Sequence, residues 1–336
     1  MMKILVTGGG GFLGRYIVRE LIQAGHRVAS LQRSAHPDLE ELGVTVVCGS
    51  LLDTEAVRTA LSGCDAVIHT AAKAGVWGSR SEFFATNVDG TRELLHLMDE
   101  EGTDKLVYCS SPSVVFNGGS FNGADESLPY GRNWHCPYPE SKALAEQMVL
   151  AWGREGRGRV IALRPHLMWG IGDPHVLPPV IRRSEAGRLR IVGDGRNRID
   201  VTRVENSARA HLLALQALDK PSAVNRAYFL SQGQPVVLWD WLNDILEGLE
   251  MPRLQKKISH PAAFRIGGIC ELVWRLLGKE SIPPMTRFVA QQMAKSHWFS
   301  IEAARRELHY RPEAFPSDEG LERYLAAWKA GETPRA

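Results

Sequence analysis

The feature that most constrains the fold is a run of glycines close to the start of the chain. Thr7-Gly8-Gly9-Gly10-Gly11-Phe12-Leu13-Gly14 follows the apolar run Ile4-Leu5-Val6 and opens an amphipathic segment that extends to Ala24. A strand, a tight turn and a helix in this order present unpaired backbone N–H groups and the positive end of a helix dipole to one point, which suits a pyrophosphate. The sequence therefore predicts a dinucleotide site formed by Thr7, Gly8, Gly11, Phe12, Leu13 and Gly14.

Apolar runs and amphipathic stretches alternate through the first half of the chain. Strands are predicted at 4–6, 28–31, 44–47, 66–68, 105–108 and 160–163, with helices over 14–24, near Glu55 and over 87–100. Such continuous apolar runs are typical of strands covered on both faces, so the pattern predicts an α/β fold with a doubly wound parallel sheet of Rossmann type. We assign 1–165 to the dinucleotide-binding core, expect 195–230 to complete its sheet, and assign 166–336 mainly to an interleaved substrate lobe and cap.

The charge balance and the cysteines restrict the partners. The chain has 40 Lys+Arg against 38 Asp+Glu, a balance that argues against nucleic acid and against a polybasic membrane anchor. Its five cysteines are odd in number and lack the paired spacing of metal sites, which favours reduced, buried thiols and no metal. Because the first predicted strand begins at Ile4, with no signal peptide before it, we expect a cytoplasmic protein that binds small molecules.

The end of the second predicted strand indicates which dinucleotide is bound. An NAD site usually has a carboxylate here for the ribose hydroxyls, but this chain has Gln32, Arg33 and Ser34. A guanidinium and a hydroxyl can form charge-assisted hydrogen bonds to a 2′-phosphate. The sequence favours NADP(H) over NAD(H), with a solvated Arg33 as the alternative.

A tyrosine and a lysine four residues apart indicate redox chemistry. Tyr138 and Lys142 would share one face of a helix, where the ammonium can favour the phenolate and make the tyrosine a usable proton donor or acceptor. Upstream, the strand at 105–108 ends in a serine-rich segment at the edge of the sheet where doubly wound folds bind ligands. An incidental helical pair is the alternative interpretation of Tyr138 and Lys142.

Taken together, these motifs resemble those of the extended short-chain dehydrogenase/reductases, in particular the 3β-hydroxysteroid dehydrogenase-like branch. The resemblance covers nearly the whole chain and includes 69–72, 87–91, 110–111, 138–142 and 163–170. It implies that Tyr138 exchanges the proton with the substrate oxygen, that Lys142 lowers the pKa of Tyr138 and holds the ribose, and that Ser111 binds the carbonyl. It also implies cofactor contacts from Leu51, Ala71, Ala72 and Pro165. Ser113 is the alternative to Ser111, and Gly49-Ser50-Leu51 departs from the Gly-Asp that the family often uses near adenine.

Three further segments, 71–79, 187–195 and 296–300, are similar to those of bacterial enzymes that reduce 2-alkyl-3-oxoalkanoates with NADPH in olefin biosynthesis. This similarity implies NADPH-dependent reduction of a β-keto acid with bulky apolar chains. A 3β-hydroxysteroid or sterol dehydrogenase is the alternative enzyme, and a non-catalytic dinucleotide sensor is a second alternative. A sugar-nucleotide epimerase would share the same catalytic residues, but we locate no nucleotide-diphosphate contacts.

The second half of the chain leaves the substrate contacts and the assembly open. A substrate carboxylate needs a cation, and the candidates are His166, His175, Arg182, Arg183, Arg196, Arg198 and Arg203. The segment 261–280 has helical apolar spacing, which is consistent either with core packing or with an interfacial helix that contacts a membrane, a pathway enzyme or alkyl chains. By the family resemblance, the helices after Asn87 and around Tyr138 would pair across a homodimer.

Overall fold

The computed structural model describes residues 1–132 and 134–333. The strands are β1 (Lys3–Thr7), β2 (Arg27–Gln32), β3 (Thr45–Cys48), β4 (Ala66–His69), β5 (Lys105–Cys109), β6 (Phe121–Ala124), β7 (Arg159–Pro165), β8 (Met168–Trp169), β9 (Ile191–Val192), β10 (Arg198–Ile199), β11 (Thr202–Arg203), β12 (Arg226–Leu230), β13 (Val236–Val237), β14 (Lys257–Ile258) and β15 (His297–Phe299).

Helices connect these strands and cover them. They are α1 (Phe12–Gln23), α2 (Pro37–Glu40), α3 (Thr54–Leu61), α4 (Arg80–Phe84), α5 (Gly90–Glu101), α6 (Pro137–Arg154), α7 (Leu177–Glu185), α8 (Val204–Ala217), α9 (Leu238–Gly248), α10 (His260–Leu276), α11 (Arg287–Ala294), α12 (Glu302–Leu308) and α13 (Ser317–Ala330).

The main sheet is parallel and has the order β12-β7-β5-β4-β1-β2-β3. Its central strands are almost completely buried, and two apolar clusters cover its two faces. The expected Rossmann-type fold is therefore confirmed. The strand order changes direction between β1 and β4, which opens a crevice at their carboxyl ends, the place where doubly wound sheets bind ligands.

One predicted helix differs in its details. The pattern predicts a helix over 87–100, whereas the chain is already helical from Arg80 and passes through a π-helical turn at Ala85–Asp89 before α5 begins. A π turn adds one residue to the helical cycle and is often found at functional sites. The turn contains Asn87, which is buried between the loop after β4 and α6.

Outside α8, β12 and α12, which belong to the main sheet and its cover, most of the second half of the chain forms a lobe around a third apolar cluster, with short strands in small sheets of two to four strands. Its helix α10 has an unusual distribution of side chains. The buried positions of α10 are Ala263, Gly267 and Glu271, while Ile269 is 63 % exposed and Leu276 is 77 % exposed. Core packing, one of the two alternatives for this segment, is therefore wrong for its outer apolar side chains.

The cysteines differ in their exposure to solvent. Cys64, Cys109 and Cys136 are buried, but Cys48 is exposed, so only part of the expectation of buried thiols is met. Within residues 1–132 and 134–333, none of the helices combines the length and the apolar character that crossing a bilayer requires.

Candidate active site

The glycine loop lies at the carboxyl end of β1 and leads directly into α1. Gly8 has a φ of +74°, in the left-handed region that favours glycine, and a Cβ at Gly14 would lie 2.1 Å from the carbonyl oxygen of Gly8. The turn therefore closes on itself only because these positions lack side chains. Phe12 and Leu13 form the start of α1. Leu13 is buried in the core, and Phe12 is half-buried near Gly172. This cradle fits a pyrophosphate at the start of α1.

A chain of hydrogen bonds fixes the edge of the crevice. Thr91 donates to the carbonyl of Asn87, so the Nε2 proton of His69 points to Thr91 at 3.0 Å, and the bare Nδ1 accepts from Thr7 at 2.6 Å. The amide of Ala71 then donates to the Thr7 hydroxyl. Burial, aided by the charge of Lys142, lowers the pKa of His69 to about 3, which keeps the ring neutral in this role. The sequence motif at 69–72 did not reveal this function of His69.

The predicted ribose-binding residues lie at the end of β2, but in different environments. Gln32 is buried, and its Oε1 accepts from the amide of Gly10 at 2.6 Å, while its Nε2 is buried without a partner among the described residues. Arg33 and Ser34 are exposed beside it. An unpaired amide donor and a free guanidinium at one strand end fit the ribose phosphate of a dinucleotide.

Two residues near this strand end were missed by the sequence analysis. Arg15, on α1, donates to the carbonyl of Gly10 and pairs with Asp38 at 2.7 Å. Its guanidinium also lies 2.9 Å from the Nδ1 of His36, whose ring stands over Gly10. The sequence spacing of Arg15 and His36 does not predict this contact. The glycine loop, α1 and the segment after β2 have to fold together before the two side chains meet.

The other predicted cofactor residues line the same crevice or support it. Ala71 lies against Gly8, where a Cβ would come within 3.0 Å of the Ala71 Cα, and Ala72 is exposed next to it. Leu51 is buried and packs against Gly90, so it supports the crevice wall. Pro165 ends β7 and is buried beside β12.

Tyr138 and Ser111 meet at the carboxyl end of β5. Ser111 caps the short helical turn that follows β5, and Ser113 lies 2.9 Å from its hydroxyl. Burial raises the pKa of Tyr138 above its ordinary value, and a hydrogen bond with the Ser111 side chain opposes that shift. The contact with Tyr138 favours Ser111 over Ser113 as the substrate-binding serine. The hydroxyl of Ser110 is buried elsewhere without a partner among the described residues.

Lys142 is buried one helical turn beyond Tyr138. Its ammonium donates to the carbonyl of Cys109 at 2.7 Å and lies 4.2 Å from the centre of the Tyr108 ring. Burial lowers the pKa of Lys142 to about 8, although the nearby Cys109 and Glu146 favour the charged form. The lowering of the Tyr138 pKa by Lys142 that the family resemblance implies stays a prediction, since burial raises that pKa in this structure. The ammonium keeps two N–H donors that its contact with Cys109 does not use.

Two buried polar contacts hold α6 in place. The side chain of Asn87 accepts from the amide of Lys73 at 2.7 Å and donates to Ser141 at 2.9 Å, which joins the loop after β4 to α6. Farther along α6, Glu146 forms a buried ion pair with Arg164 on β7. Sequence reasoning used the motif that contains Asn87 only for recognition and missed Glu146.

The candidate cations for a substrate carboxylate differ in burial and in their partners. Arg203 is buried and bonded to Glu205 and to the carbonyl of Pro316, so it has a structural role. His166 is buried against His297, and its Nε2 lies 2.9 Å from the Nδ1 of His297. Arg182, Arg196 and Arg198 are exposed, His175 is exposed and Arg183 is half-buried.

Comparison with known families decides the class of protein. A model of the 3-beta hydroxysteroid dehydrogenase/isomerase family matches residues 5–261, which is more than half of the chain. The chain belongs to this family. Membership confirms the expected oxidoreductase that acts on a hydroxyl or keto group, and the predicted family resemblance is confirmed with it.

Individual relatives agree with this membership. The chain is 44 % identical to the 2-alkyl-3-oxoalkanoate reductase of Stenotrophomonas maltophilia, over 97 % of this chain and 99 % of that protein. It is 31 % identical to the 3-beta-hydroxysteroid dehydrogenase of Mycolicibacterium neoaurum, over 92 % of this chain and 87 % of the other. Among solved structures, gox2253 matches with a TM-score of 0.79 and 26 % identity, over 99 % of this chain and all of that chain.

Proposed function

We propose that this family member reduces the ketone of a 2-alkyl-3-oxoalkanoate to the 3-hydroxy acid, with NADPH as the reductant. The observation that carries the proposal is the meeting of Ser111, Tyr138 and Lys142 at the carboxyl end of β5, beside the glycine cradle. Support for the substrate comes from the near full-length similarity to the reductase of Stenotrophomonas maltophilia. A β-keto acid is a more specific substrate than family membership alone implies.

The proposed proton donor is the phenol of Tyr138. Burial raises the pKa of Tyr138, so the phenol retains its proton at neutral pH and is ready to protonate a carbonyl oxygen. Ser111, in contact with Tyr138, would donate a second hydrogen bond to the same oxygen and orient the ketone. The hydride that completes the reduction is the chemistry supplied by the nicotinamide when it is bound.

Lys142 has two parts in this proposal. As proton transfer turns Tyr138 into a phenolate, the buried ammonium stabilises the new negative charge, because opposite charges interact strongly away from water. The two N–H donors that Cys109 does not use would also hold the ribose hydroxyls. The two parts explain why a charged side chain is kept in a buried position that lowers its own pKa.

NADPH, rather than NADH, is proposed from the end of β2. Arg33 is exposed and has no carboxylate partner among the described residues, whereas Arg15 is paired with Asp38. Arg33 is therefore the free guanidinium for a 2′-phosphate, and Gln32 holds the glycine loop while its own amide stays available.

A substrate screen tests the proposed reaction. NADPH consumption would be followed with a 2-alkyl-3-oxoalkanoate, a 3-ketosteroid and a nucleotide sugar, with NADH in parallel. We expect turnover with the keto acid and NADPH. Turnover confined to the steroid would assign the alternative activity, and cofactor binding without turnover of any ketone would indicate a sensor.

The chain is further proposed to act as a homodimer through α5 and α6. The supporting observation is Leu144, which is 40 % exposed on α6, among the few large apolar side chains that are exposed outside α10. Sedimentation velocity at micromolar concentration should show a dimer, and Leu144→Asp should shift it toward monomer because a charge would be buried at the interface. A wild-type chain that sediments as a monomer would refute this assembly.

A further inference from the structure

Helix α10 reverses the usual arrangement of an amphipathic surface helix, because apolar side chains face outward and a charged side chain faces the protein. Its inner face contains the only acidic side chain of the helix, Glu271, which is 2 % exposed and accepts hydrogen bonds from the backbone and guanidinium of Arg287. Gly267 on the same face lets the helix approach the backbone at Thr286, where a Cβ would come within 2.6 Å. The helix is thus anchored to the lobe by polar and small residues.

The apolar side chains of the helix point away from the protein. Those exposed on α10 and just after it are Ile266, Ile269, Leu272, Val273, Leu276, Leu277 and Ile282. Over the described residues they account for most of the large apolar side chains with high exposure, the others being Met1, Leu42, Leu52 and Leu144. A contiguous apolar patch of this kind on a soluble fold marks an interaction surface, because exposing it to water is unfavourable.

Cations and tryptophans surround this apolar face. Arg265, Arg275 and Lys279 are exposed and form no ion pair with a carboxylate in the described part of the chain, while Glu280 is the exposed acid near them. The Lys279 ammonium lies 4.8 Å from the ring centre of Trp274, and the Trp77 indole donates to the Lys279 carbonyl at 3.1 Å. Aliphatic side chains framed by basic residues and tryptophan are typical of a helix that lies in the interface of an anionic membrane.

The same helix covers the surroundings of the catalytic tyrosine. Phe264 on α10 packs edge-on against His135, with ring centres 5.4 Å apart, three residues before Tyr138. A cavity of about 700 Å³ lies between the end of α10 and the loop after β4, and its lining includes Trp77, Pro137 and Arg275. Pro137 immediately precedes Tyr138, so this cavity reaches from the end of α10 to the start of α6.

We infer that α10 docks the protein on the surface of an anionic lipid bilayer, with its apolar side chains among the acyl chains and Arg265, Arg275 and Lys279 at the lipid phosphates. The charge complementarity between these unpaired cations and anionic headgroups selects this occupant over a neutral surface. This surface does not depend on the proposed reaction, because it is argued from the exposed face alone.

Vesicle binding tests the inference with the full chain. The protein would be sedimented with phosphatidylcholine vesicles and with vesicles that also contain phosphatidylglycerol, at low and high salt. We expect binding to the anionic vesicles that weakens with salt, since surface charges are screened. Ile269→Ser together with Leu276→Ser should lower the association constant more than about tenfold, because two buried aliphatic side chains are lost.

Charge variants and matched controls complete the test. Arg275→Gln together with Lys279→Gln should lower binding to anionic vesicles by about tenfold to thirtyfold, from the usual contribution of each basic residue near a charged surface. Leu42→Ser and Lys220→Gln, at exposed positions elsewhere, should leave binding unchanged. Equal thermal midpoints would show that all variants are folded.

Three outcomes would overturn the inference. One is the absence of vesicle binding by the wild-type chain, and another is vesicle binding that the α10 variants do not reduce. The third is self-association in solution that Leu276→Ser abolishes while vesicles remain unbound, which would make a second copy the occupant of the face. Because NADPH turnover is measured separately, failure of vesicle binding leaves the proposed reaction standing, and the reverse also holds.

Discussion

The half of the chain that carries the glycine loop and the lobe that carries α10 treat polar and apolar groups in opposite ways. Around the crevice, apolar side chains are buried on both faces of the sheet, and buried polar groups such as Thr7, His69 and Asn87 are joined by hydrogen bonds. On α10, the charged Glu271 is inside and the leucines are outside. The comparison teaches that the crevice buries its apolar side chains within one chain, whereas α10 leaves an apolar surface that fits a partner.

The largest effect is expected at the proposed proton donor. Tyr138→Phe removes only the hydroxyl that is proposed to protonate the ketone, so kcat should fall by about a hundredfold to ten-thousandfold, the usual contribution of general acid catalysis. NADPH affinity, measured by fluorescence titration, should remain close to that of the wild type, because the glycine cradle is unchanged. A variant that keeps most of its kcat would remove Tyr138 from the mechanism.

A pair of leucines compares the two regions directly. Leu94→Ala, at a fully buried position of α5, should lower the free energy of unfolding by about 2–5 kcal/mol, because it leaves a cavity. Leu276→Ala, at a position that is 77 % exposed, should change it by less than about 0.5 kcal/mol. Denaturant unfolding of the isolated protein measures both. Equal losses would mean that the outer face of α10 is packed after all, and the contrast between the regions would fail.

The charge of Lys142 gives a dependence on pH. Burial lowers its pKa to about 8, so the ammonium is present below that pH and is lost as the pH rises through it. We therefore expect kcat/KM for ketone reduction to fall above about pH 8, and Lys142→Ala to lower both kcat and NADPH affinity at pH 7. A pH profile of NADPH binding that is flat through this range would limit Lys142 to the proton transfer.

Cofactor choice gives the smallest of the four effects. Arg33→Ala should weaken NADPH by about tenfold to a hundredfold, because hydrogen bonds to charged groups contribute about 1.5–3 kcal/mol each. NADH should be barely affected, and Arg27→Ala, an exposed arginine at the start of the same strand, should change neither. Comparing kcat/KM for the two cofactors measures the effect. An equal loss for NADH would show that Arg33 supports the loop rather than binding the phosphate.

Sequence reasoning predicted the parts of the molecule that are local in the chain. The apolar runs predicted the strands because a parallel strand is buried on both faces, and the glycines predicted the turn because Gly8 requires a positive φ. The contact between His36 and Gly10 could not be predicted, since it depends on how distant segments pack. The periodicity of α10 also could not reveal that its apolar face is the uncovered one, because spacing defines a face but not what lies against it.

The buried pair of Glu146 and Arg164 has a consequence for how α6 is aligned. Tyr138, Lys142 and Glu146 follow one another at intervals of one helical turn, and Arg164 belongs to the strand that ends at Pro165. A shift of one residue along the helix would move each group by about 1.5 Å and rotate it by about 100° around the axis. Such a shift would pull Glu146 away from Arg164 and leave both charges buried without this partner. The ion pair thus fixes the rotation of α6 about its axis, and with it the direction of the Tyr138 phenol relative to β7.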